Sequence, residues 1–150
     1  MANYLLFQLG QKALITNSNS EILLLKRLNK NVEDGFYWDF PGGLLEEGEV
    51  PQDSLKREVE EETGINNLKV NNFFYAVISD PKVNLNNANR IIFIYTCSPV
   101  SNQNIRISEE HVEYGWFSPS TTAKYLVKRY GRDLAKKITS RATPLRYWSC

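Results

Sequence analysis

The sequence predicts an α/β fold of the α+β kind, with a mixed sheet and helices packed on it. Three observations lead there. Short apolar-rich segments of strand length alternate with helix-length segments, in the order strand pair, helix, several strands, terminal helix. The chain has 150 residues, 42% apolar and 23% charged, a globular composition large enough for one domain spanning 1–150 with a real core. The breaks between segments carry strong turn and helix-end chemistry, above all Pro41-Gly42-Gly43, Pro51 and Gly64.

The elements follow in order. Residues 12–16 and 21–27 are apolar-rich, and the polar turn Asn17-Ser18-Asn19-Ser20 between them predicts a hairpin. The unbroken run 22–25 implies burial on both faces. Residues 29–35 read as a polar loop, and residues 36–40 as an aromatic strand ended by Pro41. Residues 51–63 predict a helix, with Pro51 at its first position and Gly64 where positive φ is needed. Val50 is a poor N-cap. Residues 70–79 and 91–97 read as strands, with an exposed Asn-rich loop at 84–89. In the first of these strands, alternation must point consecutive Phe73, Phe74 and Tyr75 to opposite faces. A short strand at 112–117 leads through Ser118-Pro119 into a helix over 120–138, which Gly131 weakens and divides.

The formal net charge of +1 argues against a protein that coats nucleic acid. The total hides two blocks. Residues 46–62 hold eight acids and two bases, net −6, and residues 124–146 hold eight bases and one acid, net +7. The basic stretch has too few interleaved aromatics to form a stacking surface and reads as a solvated helix face. Two cysteines, Cys97 and Cys150, are too few for a disulfide framework and read as free thiols in a reducing compartment. The N-terminus lacks a basic region followed by a long apolar stretch, and no run approaches the roughly 20 residues of a membrane span. A cytoplasmic, membrane-free protein is the expectation.

The acidic block carries the chemistry. On a helix over 51–63, Leu55 and Val59 form an apolar stripe flanked by Gln52 and Thr63. Glu58, Glu61 and Glu62 fall at i, i+3 and i+4 on one face beside that stripe. Three converging carboxylates raise one another's pKa unless a cation offsets them. A hard divalent ion does so, taking carboxylates, phosphate oxygens and water. Gly42 and Gly43 allow a close backbone approach, so that a main-chain carbonyl could reach the metal. Arg57 can hold Glu49 in a bidentate pair and fix the loop against the helix.

This segment resembles the box of the Nudix family, G-x5-E-x7-R-E-U-x-E-E-x-G-U with U aliphatic. Gly43, Glu49, Arg57, Glu58, Val59, Glu61, Glu62, Gly64 and Ile65 match every specified position. At about 7% usage per residue type, the seven single-residue positions would match a random window roughly once in a hundred million. Trp38-Asp39-Phe40-Pro41-Gly42-Gly43 resembles the approach to the box, and Trp116-Phe117-Ser118-Pro119 the late strand-to-helix junction.

The resemblance implies a Nudix-type α/β/α sandwich and Mg²⁺ (or Mn²⁺) held by Glu58, Glu61, Glu62 and the Gly42 carbonyl, with Glu49 supported by Arg57. It also implies a further acidic ligand or general base before Trp116; Glu110 is favoured, then Glu113, over Glu109. Candidate substrate contacts are Trp38, Phe40, Gly43 and Arg90, although the aromatics of 36–40 read first as core. His111, the one histidine, reads as an exposed loop residue rather than a base. The implied activity is hydrolysis of a nucleoside diphosphate linked to another moiety, in a nucleoside triphosphate, an oxidised dNTP or an ADP-ribose-like compound.

Within the family, Pro81, sixteen residues past Ile65, resembles ADP-ribose pyrophosphatases, and Trp38-Asp39-Phe40 resembles oxidised-dGTP-cleaving members with Asp for Glu. The expected partner is a small nucleotide, not a nucleic-acid polymer or a membrane, and the expected state is monomer or homodimer. The alternative is a non-catalytic nucleotide sensor, which an intact box disfavours. An isopentenyl diphosphate isomerase is disfavoured because the chain lacks a cysteine in the active-site region and extra histidines.

Overall fold

The structure, a computed structural model, describes residues 6–28, 35–79, 88–99 and 104–141. It contains β1 (Gln8–Ile15), β2 (Ile22–Leu28), β3 (Phe36–Asp39), α1 (Pro51–Thr63), β4 (Leu68–Ser79), β5 (Arg90–Pro99), β6 (His111–Phe117), α2 (Pro119–Tyr130) and α3 (Arg132–Ser140). The fold is α+β, as the element order predicts. Most of the expected loops at 29–35 and 84–89, together with Pro81, Cys150 and the end of the basic block, lie outside the described residues.

Two three-stranded sheets form, ordered β1-β5-β4 and β3-β2-β6. The first is mixed, with β1 parallel and β4 antiparallel to β5. The second is antiparallel throughout. The predicted hairpin is corrected here. Among the described residues, β1 and β2 pair only at the isolated bridge Thr16↔Ile22, although the turn forms, with Asn17 Oδ1 accepting from the backbone of Asn19 and Glu21 at 3.0 Å each. The reason lies on the other edge of β1, which the segment after β3 occupies. Ala13 N donates to the Pro41 carbonyl at 2.9 Å, Gln11 N to the Gly43 carbonyl at 2.8 Å, and Leu45 N to the Leu9 carbonyl at 2.9 Å. With that edge filled, β2 pairs with β3 and β6 instead.

The run Ile22–Leu25 is buried on both faces, as expected. Leu23 joins Ala13, Ile15, Leu55, Val59, Ile65 and Leu68 in the core under α1. Ile22 and Leu24 join Leu14, Ile92, Ile94, Leu126, Leu134 and Ile138 in the core under α2 and α3. Helices therefore cover both sides of the sheets. Leu55 and Val59 are fully buried, each worth about 1.5–3 kcal/mol in water-excluded surface. The long C-terminal helix is cut in two at Gly131, with φ 87, as the glycine predicts. Along β4, Phe73 is exposed and Phe74 buried, but a bulge between Phe73 and Tyr75 turns Phe74 and Tyr75 to the same core, so the expected alternation breaks there.

Candidate active site

Helix α1 starts at Pro51 without a side-chain cap and ends at Gly64, whose φ of 74° lets its N–H reach back to the Glu60 carbonyl at 2.8 Å. Its last carbonyls are covered by the segment before β6, with Arg106 N donating to Thr63 O at 2.8 Å and Ser108 N to Glu62 O at 3.3 Å. This capping lays the start of β6 over the acidic end of α1.

Arg57 organises the outer carboxylates. Its Nε and Nη2 donate to Glu49 Oε1 and Oε2 at 2.7 and 3.1 Å, the bidentate pair expected from the sequence. Its Nη1 lies 2.9 Å from Glu58 Oε1 and 3.2 Å from Glu61 Oε2. The Arg57 hydrogen bonds hold the Glu49 carboxyl down at about 2, and Glu49 in turn raises the Arg57 pKa. Glu49 also accepts from Glu46 N at 2.9 Å, which closes the loop on itself.

The inner part is built on Pro41-Gly42-Gly43. Gly42 has φ 127°, and a Cβ there would lie 2.3 Å from the Gln11 carbonyl oxygen. A Cβ on Gly43 would lie 2.3 Å from the Glu58 carboxyl carbon. The two glycines thus let backbone pass between β1 and the Glu58 carboxylate. Glu62, 6% exposed, accepts from Gly42 N at 2.7 Å. Burial raises the pKa of Glu62 despite opposing help from Lys12, the Gly42 N–H and Arg27.

A bulge between Lys26 and Arg27 completes the site. It leaves Val112 out of the ladder and sets His111 across from Arg27. Arg27 Nη2 pairs with Glu110 and lies 3.9 Å from Glu62 Oε1, and His111 Nε2 lies 3.6 Å from the same oxygen. His111 is 8% exposed, which corrects the expectation of an exposed loop histidine. Capping of α1 by residues 106–108 draws it inward. Its ring meets Ser108 Oγ at 3.2 Å, and burial, followed by the charges of Arg27 and Lys12, pushes its pKa down to about 4.

Comparison with known proteins decides the family. The family model described as the NUDIX domain matches residues 6–138. The chain belongs to the NUDIX family. It is 41% identical over 51 residues to an 8-oxo-dGTP diphosphatase of Proteus vulgaris, covering 34% of this chain and 45% of that protein. It is 52% identical over 33 residues to an RNA pyrophosphohydrolase of Sulfurovum, covering 22% and 21% respectively. The chain thus spans less than half the length of either relative. Among solved structures, a MutT protein from Methanosarcina mazei Go1 is similar at TM-score 0.68 and 25% identity, covering 93% of this chain and 98% of that one. A C. elegans Ap4A hydrolase shares the fold at TM-score 0.67 and 17% identity, over 91% and 97%.

Within the NUDIX fold, the structure brings Glu49, Arg57, Glu58, Glu61 and Glu62 together through Arg57 and Gly42–Gly43. Glu110 joins them through Arg27. Glu113 faces the other way and pairs with Lys26 at 3.1 Å. Phe40 is 1% exposed in the core, so only its backbone, not its ring, faces the site. Trp38 stacks on Tyr125 at 5.6 Å between centroids, with Lys26 Nζ 5.6 Å from its ring. Arg90 donates to Gln8 Oε1 at 3.0 Å, at the far end of β1 from the turn.

The sequence reading missed a buried ionic cluster beside the NUDIX box. Asp39 is 4% exposed, with Lys12 Nζ and Arg129 Nε each 3.2 Å from its Oδ2. Its Oδ1 accepts from Phe40 N at 2.8 Å and from the Tyr130 hydroxyl. Burial pushes the Asp39 carboxyl up, but Lys12 and Arg129 outweigh it and hold the carboxyl below its usual range. Lys12 Nζ also donates to the carbonyls of Phe40 at 3.0 Å and Gly42 at 2.6 Å. The signal in the sequence was a lysine at the start of the apolar run Ala13-Leu14-Ile15 of a strand.

The donor set decides what ion it suits. Glu58, Glu61 and Glu62 are hard oxygen donors on one face of α1, a donor set that fits Mg²⁺ or Mn²⁺. Among the described residues no three acidic, His or Cys side chains already form a metal cage. Arg57 holds the outer carboxylates instead, and the Gly42 carbonyl is held by Lys12.

Proposed function

We propose that the chain is a Mg²⁺- or Mn²⁺-dependent pyrophosphohydrolase that cleaves the diphosphate linkage of small nucleotides. The observation that carries this reading is the box in register, with Arg57 clamping Glu49 across Glu58 and Glu61 while Glu62 lies under the Gly42 amide. Glu58, Glu61 and Glu62 would hold the ion, which supplies charge neutralisation at the phosphates and a more acidic water.

The chain's own groups do the rest. Glu49 has a carboxyl near 2, is too weak a base at neutral pH, and fixes the loop through Arg57. Glu110 is exposed and held at the side of Glu62 by Arg27, where it can take the proton of the attacking water. Water attacks one phosphorus, the bridging P–O bond breaks, and the bridging oxygen leaves with the departing phosphate. The products are a nucleotide and a phosphorylated remainder, or pyrophosphate when the remainder is phosphate alone.

The relatives' names cover 8-oxo-dGTP, RNA, ADP-ribose and Ap4A. We favour free nucleoside triphosphates, oxidised dNTPs or ADP-ribose-like compounds as substrates.

The test is a screen of these compounds, with Ap4A and 5′-triphosphorylated RNA, in Mg²⁺ or Mn²⁺. Turnover of at least one free nucleotide is expected, and Glu61→Gln and Glu62→Gln should each lose most of it while remaining folded. Full activity in both variants overturns the site assignment. Binding without turnover in the wild type favours a nucleotide sensor.

A further inference from the structure

We propose that Lys12 is a resident cation that withholds the Gly42 carbonyl from divalent metal, so that this centre binds fewer metal ions than its oxygen donors could hold. The proposal rests on the metal-dependent reading above. Its starting point is where the lysine sits. β1 passes under the Pro41–Leu45 segment through the Ala13–Pro41 and Gln11–Gly43 hydrogen bonds. Lys12 falls between those two contacts, and its side chain turns to the α2 and α3 side of the sheet. An ammonium has three N–H donors. Here the contacts are Gly42 O at 2.6 Å, Phe40 O at 3.0 Å and Asp39 Oδ2 at 3.2 Å.

Two features make this more than a surface contact. Lys12 is 8% exposed, and its head group is anchored by a carboxylate that is itself buried and tied to Arg129, Tyr130 and the Phe40 amide. The same ammonium acts electrostatically on Glu62, the carboxylate on the other side of Gly42. A positive charge therefore already sits on the Gly42 carbonyl and acts on the buried carboxylate that the Gly42 amide holds. A divalent ion seeking the Gly42 oxygen must displace Lys12, strand the Phe40 carbonyl and weaken the Asp39 pairing. It must also approach against a like charge. Glu58 lies against Gly43, and Glu58 and Glu61 pair with Arg57 rather than with Lys12, so Lys12 does not occupy these two donors.

The experiment is a Mn²⁺ titration of the full chain, with free Mn²⁺ read by electron paramagnetic resonance, in wild type, Lys12→Met and Lys12→Gln. Lys12→Met removes the charge and all three donors. Lys12→Gln keeps amide donors for the carbonyls and guards against loss of fold. The expected result is one additional Mn²⁺ bound by the methionine variant, or the same number at least tenfold tighter, with the glutamine variant between it and wild type. Equal stoichiometry and Kd values within twofold, in variants that circular dichroism shows folded, overturn the proposal. Repeating the titration with Glu61→Gln and Glu62→Gln separates the two readings. Mn²⁺ binding that depends on these glutamates but ignores Lys12 sinks only the role of Lys12. No saturable Mn²⁺ binding in any form sinks the metal-dependent reading and the Lys12 proposal with it.

Discussion

Gly42 is where backbone geometry and chemistry meet, and Gly42→Ala tests that meeting directly. Its φ of 127° is a conformation that side-chain-bearing residues rarely adopt, at a cost of about 1–3 kcal/mol. A Cβ would also stand 2.3 Å from the Gln11 carbonyl oxygen and 3.0 Å from Lys12 Cα. Both are backbone atoms of a strand hydrogen-bonded on its two edges, so neither yields easily. Forcing a methyl into such packing adds about 1–3 kcal/mol. A total near 3 kcal/mol lowers Tm by roughly 6–12 °C in a chain of this size. Gly48 provides the control. Its φ is 81°, and nothing lies within 4 Å of a Cβ built there. Gly48→Ala therefore meets only the left-handed cost, about 1 kcal/mol. Urea unfolding followed by tryptophan fluorescence reads both variants, since Trp38 and Trp116 pack against the two cores. Destabilisation of the two variants by equal amounts, within about 1 kcal/mol, would refute the idea that β1 backbone dictates glycine at position 42.

Two further outcomes follow from the structure. His111 is buried with its pKa down at about 4, against about 6.5 unfolded, so the unfolded chain takes up the proton first as pH falls. Its contribution is complete above about pH 6.5 and is lost towards pH 4, with about 1–2 kcal/mol gone between pH 7 and 5. In EDTA, His111→Asn should flatten that part of the stability profile, and an unchanged slope would count against it. Val50 caps α1 with extended backbone but no side-chain bond. Val50→Ser should stabilise by about 0.5–1 kcal/mol, seen as a higher Tm; an equal or lower value argues that the cap position is misplaced.

Much of the site was legible because it is local. The box lies on one helix and the loop before it, so the 3.6-residue period alone places Glu58, Glu61 and Glu62 on one face. Likewise Arg57 and Glu49 are eight residues apart and meet as the spacing suggests. The helix ends were legible from Pro51 and Gly64, and the break at Gly131 from its missing side chain. The hairpin was misread because local pattern does not say which strand edge is free. β1 and β2 look like neighbours, yet Pro41–Leu45 fills the edge that would have joined them.

The sequence by itself determined the family, the element order and the acidic face of α1, because each depends on residue types at short spacing. Only the tertiary structure decided the surroundings of that face. Lys12 and Asp39 are 27 residues apart, and Arg129 and Tyr130 lie some 90 residues beyond Asp39; they meet because β1, β3 and α2 pack together. Arg27 and His111 reach Glu62 through one bulge between β2 and β6. By sequence alone, the −6 block of residues 46–62 calls for a metal ion. In the folded chain, Arg57, Lys12 and Arg27 already offset part of it, because packing brings distant cations to carboxylates that burial would otherwise leave uncompensated.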